Sequence, residues 1–117
     1  MEDNLIELLE TFGYPVYRQG SLAENEPYPP TFFTFWSNGN YEQSAYDNSV
    51  MLVISDFDVN VYADDPETVY SLLKQARTLL SHNGYQIPDR GHDLASDVDT
   101  HTGRGINVTY LSKESEV

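Results

Sequence analysis

Hydrophobic and polar residues alternate along the middle of this chain. From residue 50 to residue 62, Met51, Val53, Phe57, Val59 and Val61 recur at a spacing of two, the signature of one long β-strand with an apolar face. On its other face Val50, Leu52 and Ile54 give way to Asp56, Asp58 and Asn60, so half the strand is apolar on both sides and half on one. A strand this long outruns the core of a small domain, and the surplus is expected to meet another molecule.

The period then changes from two to three and four. Asp65 is placed to cap a helix, Pro66 suits its first position, and Val69, Leu72, Leu73, Ala76, Leu79 and Leu80 form the buried stripe. Acidic Asp64, Asp65 and Glu67 match the positive helix start, Lys74, Arg77 and His82 lie toward the negative end, and Asn83-Gly84 supplies the stop. An earlier helix is predicted from Leu5, Ile6, Leu8, Leu9 and Phe12, with Asn4 and Glu7 as a capping box and Gly13 as its end. Short strands are read at residues 16–19, 85–87 and 106–111. The aromatic run from Thr31 to Trp36 is read as another strand, broken at Ser37-Asn38-Gly39.

These elements give an α+β fold: an antiparallel or mixed sheet of four to five strands with two helices packed on one face. One domain is expected over residues 1–117, with flexible loops at about 21–30, 38–48 and 89–105 and a frayed tail from Lys113. The sheet face away from the helices is expected to be partly open and partly aromatic, a surface suited to a partner.

Charge narrows the partners. Six basic against 19 acidic residues leave a net charge of −13, which repels a phosphate backbone and argues against sequence-specific nucleic-acid binding. With no cysteine there is no disulfide framework and no thiolate metal site. The acidic start MEDNLIELLE does not resemble a secretion signal, no apolar run approaches the length of a membrane span, and a cytoplasmic location is expected. Asn107-Val108-Thr109 matches a glycosylation pattern that an intracellular chain would not use.

Catalytic chemistry finds little support. His92, Asp93, Asp97, Asp99 and His101 are the densest metal-capable group, yet their spacing fits a solvated loop more simply, and no metal or other cofactor is expected. Asp56 and Asp58 share a strand face and could form an acid/base pair, although plain alternation explains them. Gly103-Arg104-Gly105 precedes a strand rather than a helix and so lacks the geometry of a phosphate loop. No serine, threonine or histidine has a convincing triad partner, so no enzyme activity is expected. The candidate functional residues are instead contacts: Phe35 and Trp36 from the aromatic strand, Tyr41 and Tyr46 from a polar arm, and Arg104, placed to reach a carboxylate of a neighbouring copy.

Whole-chain organisation resembles the tail terminator or head-to-tail joining proteins of long-tailed bacteriophages and prophages, with a lambda-like terminator fold. The resemblance runs from Leu5-Ile6-Glu7-Leu8-Leu9 and Phe12-Gly13-Tyr14-Pro15-Val16, through Pro30-Thr31-Phe32-Phe33-Thr34-Phe35-Trp36 and Asp56-Phe57-Asp58-Val59-Asn60-Val61-Tyr62, to Thr100-His101-Thr102-Gly103-Arg104-Gly105-Ile106. It covers nearly the whole chain, and none of these stretches is a catalytic signature. It implies a non-enzymatic virion protein, made in the cytoplasm of a bacterial host, that assembles as a ring of six copies. The ring would cap the tail tube and meet the head connector. The resemblance assigns no lumen, head-facing or tail-facing residue. The rival reading from charge is a small acidic inhibitor or immunity-type protein that masks a basic site on a DNA-binding enzyme; it would need no contact between copies.

Overall fold

A computed structural model describes residues 2–18, 29–44, 50–88, 90–94 and 101–115, with side chains at 3–18, 29–39, 53–88, 90–94 and 101–111. The element order is α1 (Glu2–Glu10), β1 (Val16–Arg18), β2 (Thr31–Ser44), β3 (Val50–Ala63), α2 (Pro66–His82), β4 (Tyr85–Gln86), β5 (His92–Leu94) and β6 (Thr102–Ser115). The six strands form one mixed sheet in the order β1-β2-β3-β6-β4, with β5 also on β6; β1 runs parallel to β2 and the other pairings are antiparallel. The α+β reading stands, with one strand more than the four to five expected.

The odd positions of β3 make the core. Phe57, Val59, Val61 and Ala63 are buried beside Phe33 and Phe35 of β2 and Ile106 and Val108 of β6. Leu5 and Leu9 of α1 and Val69, Leu72, Leu73, Ala76 and Leu80 of α2 close over them, so both helices lie against this one face. The Asp65 carboxylate accepts the Glu67 N–H at 3.0 Å and Pro66 opens α2. This is the arrangement an acidic cap followed by proline favours.

Several boundaries move from their sequence expectation. α1 already starts at Glu2, so Asn4 lies within the helix; its side chain accepts the Tyr85 hydroxyl at 3.1 Å instead of capping the first turn. Burial pushes the Tyr85 phenol up to about 12. β2 does not break at Ser37-Asn38-Gly39. It absorbs an extra residue there as a bulge, with Gly39 at φ 116°, and continues to Ser44, so the expected loop at 38–48 is strand as far as residue 44. β6 likewise starts at Thr102 and includes Lys113 to Ser115, where loop and frayed tail were expected, and β5 occupies part of the expected 89–105 loop. Most of the expected 21–30 loop lies outside the described residues.

β2, β3 and β6 each have 14 residues, or about 46 Å of extended chain, whereas the 17 residues of α2 span about 25 Å. The helices therefore cover only the half of the sheet around Phe57 to Ala63. The other half projects as a three-stranded arm and contributes to an elongated molecule of 53 × 28 × 23 Å.

Candidate functional site: the face away from the helices

Alternation sends Tyr17, Phe32, Thr34, Trp36, Asp56, Asp58, Asn60, Tyr62, Asn107 and Leu111 to the sheet face opposite the helices. That face divides into three zones. Beside the helix-covered half, Phe32 stacks on Tyr62 with ring centroids 5.3 Å apart, Tyr17 meets Phe32 edge-on, and the His101 ring lies 6.0 Å from Phe32. His101 Nε2–H donates to the Pro29 carbonyl at 2.8 Å. This aromatic zone is a second small core: Phe32 is only 3% exposed although it faces away from both helices.

The same zone explains the Gly-Arg-Gly triplet. A Cβ on Gly103 would come within 2.6 Å of the Tyr62 ring, and one on Gly105 within 2.3 Å of the Asn60 side-chain oxygen and 3.3 Å of the Val59 carbonyl. Both glycines are thus required by close approach. Asn60 is itself buried and donates to the Thr34 hydroxyl at 3.2 Å.

The middle zone is polar. The Asn107 amide is shared between the Asp56 carboxylate (2.6 Å), the Asp58 carboxylate (3.1 Å) and the Phe57 carbonyl (3.3 Å). Both aspartates are half-buried and held by one donor, which makes them a structural brace between β3 and β6. The third zone is the arm. There Leu111, directly across from Ile54 on β3, is 46% exposed; Trp36, across from Asp58 at the middle zone, is 47% exposed.

The predicted contact residues part company. Phe35 and Trp36 are sequence neighbours on opposite faces: Phe35 is sealed in the core and offers a partner no surface, whereas Trp36 is open to water. Tyr41 sits in the arm at the register position across from Ile54, and Tyr46 lies outside the described residues. Arg104 is committed within its own chain instead of reaching outward. Its guanidinium donates to Asp93 at 2.7 Å and to the Gly91 carbonyl at 3.1 Å, and it lies 4.9 Å from the Tyr70 ring centre. It ties β5 to β6 and α2, since a planar fork satisfies a carboxylate and a carbonyl together.

Of the candidate metal group, Asp97 and Asp99 lie outside the described residues, Asp93 pairs with Arg104, and His101 is packed on Phe32. Among the described residues no three histidine or acidic side chains converge on a common point, and no helix is long and apolar enough to cross a membrane. Compared with known proteins, the chain matches no family model and no curated relative.

Proposed function

We propose that this chain is a structural virion protein of a long-tailed bacteriophage or prophage, one that caps the tail tube as an oligomeric ring and joins it to the head connector. It acts by contact and carries no catalysis. One observation supports this above the others: three 14-residue strands outrun the helix layer and leave an arm on which Leu111 stands half in water, while Trp36, level with Asp58 on the same face, is equally open. A lone molecule gains little by extending a sheet past its own core, whereas an assembly gains a subunit contact. The charge of −13 suits a ring through which DNA passes without sticking.

Sedimentation velocity and negative-stain microscopy test this reading on the protein alone and on tubes of the tail-tube protein encoded by the same genome. Concentration-dependent closed particles, or annular caps on tube ends, are expected. A chain that stays monomeric in solution and leaves tube ends bare overturns the proposal, and tight binding of that monomer to a basic enzyme would favour the acidic-inhibitor reading.

A further inference from the structure

The arm has two open edges as well as an exposed face. β1 covers β2 only at Phe33–Phe35, through partners Val16, Tyr17 and Arg18. On the far side β5 covers β6 only at residues 103–105, and β4 only at 109–110. Among the described residues no strand pairs with the outer edge of β2 at 36–44 or with that of β6 at 111–115. Residues 40–44 of β2 and 111–115 of β6 lie at the same end of the molecule, level with residues 50–55 of β3.

Their directions match as well. β2 and β6 are each antiparallel to β3 and so run parallel to one another. Rotating one copy about an axis roughly along the strands brings its β2 edge beside the β6 edge of its neighbour, with both free stretches at one level. That contact is heterologous, and repeating it closes a ring.

Backbone alternation identifies the groups available. Phe33 donates outward to the Pro15 carbonyl at 2.9 Å, so odd positions of β2 turn away from β3 up to the bulge. Beyond the shift between Ser37 and Gly39 the even positions do so, which places the amides of Asn40 and Glu42 on the outer edge. On β6 the same alternation turns the amides of Leu111 and Lys113 outward. The bulge and a lysine on the edge discourage indiscriminate stacking, and closed pairing would occupy both edges at once.

We infer that neighbouring copies join through parallel pairing of the β6 edge at 111–115 with the β2 edge at 40–44 of the next copy, so that the arms form one continuous sheet with three strands from each copy. This rests on the ring reading above and specifies its subunit contact. The occupant of each edge is a second copy of this chain, because the complementary direction, level and length are all supplied by the chain itself.

The test compares Lys113→Pro, which removes an outward amide and leaves the β3 ladder intact, with Lys113→Ala, which keeps it. Sedimentation should show the proline variant losing assembled protein by about tenfold or more while the alanine variant stays close to wild type. Far-UV circular dichroism checks that both remain folded. Should the proline chain misfold, the cysteine-free background offers a second route. Cysteines are placed singly at 41 to 44 in one chain and at Lys113 in another, and the chains are mixed. Within one copy positions 43 and 113 flank Leu52, about 9.6 Å apart, too far for a disulfide. A mixed-chain disulfide in at least one pairing supports the inference. Rings from wild type and Lys113→Pro alike, or no mixed disulfide in assembled rings, would overturn edge pairing alone; a wild-type chain that never assembles would overturn the ring reading with it.

Discussion

Phe35 and Trp36 offer an internal comparison, since one residue of strand separates an aromatic ring in the core from one on the open face. Phe35→Ala empties a site that is 3% exposed, within the core cluster to which both helices contribute. The lost transfer energy plus the cavity costs about 3–5 kcal/mol, a large part of the roughly 5–15 kcal/mol that holds a domain together. Trp36 is 47% exposed, so it hides about half of the 150–250 Å² that its type can bury. At about 25 cal/mol per Å² this is at most about 3 kcal/mol. Alanine keeps part of that burial and water refills the space without a cavity, leaving about 1–2 kcal/mol. Urea titration of dilute protein measures both. Because Trp36 is the only tryptophan, far-UV circular dichroism is the suitable probe. Phe35→Ala should lose about 2 kcal/mol more than Trp36→Ala, while Trp36→Ala stays folded and assembles less. Equal losses, or a larger loss at Trp36, would show that the face away from the helices is as closed as the core and would refute the reasoning.

Gly105→Ala should cost about 1–3 kcal/mol by denaturant titration, because the added carbon meets the Asn60 side chain and the Val59 backbone carbonyl; a neutral result would mean that the second small core yields freely. Tyr85 ionises at about 12 in the folded chain against about 10 when unfolded, so the unfolded chain sheds the proton first and stability falls as pH rises through that window. Tyr85→Phe should flatten that part of the alkaline decline, and an unchanged slope would contradict the burial argument. Arg104→Ala should release β5, seen as faster amide hydrogen exchange at His92 and Leu94, whose amides face β6, with the core amides unchanged; slow exchange there would mean that Arg104 is not the tether.

Local chemistry wrote some of this protein directly into its sequence. α2 is legible because cap, first-position proline and apolar stripe all concern residues within a few turns of each other, and β3 because alternation over 14 residues leaves no other regular reading. The candidate site was legible only in part: an open, partly aromatic face follows from the pattern, but which aromatics populate it does not. Phe32 and Phe33 are equally hydrophobic, and parity counts faces without telling which face the helices take. Pairing settled that, and it also carried β2 through the bulge at Gly39, because β3 offers partners on both sides of it. β5 and the first residues of β6 are not legible in the sequence for the same reason: their glycines and histidine look like loop until Tyr62, Asn60 and Leu94 pack over Gly103 and Gly105. From sequence Arg104 is placed to reach a carboxylate of a neighbouring copy, since only the folded chain brings Asp93, the Gly91 carbonyl and Tyr70 around it. What sequence determined, then, were periods and caps, which depend on neighbours along the chain. Tertiary structure decided direction, edge and exposure, which depend on partners 11 to 81 residues away.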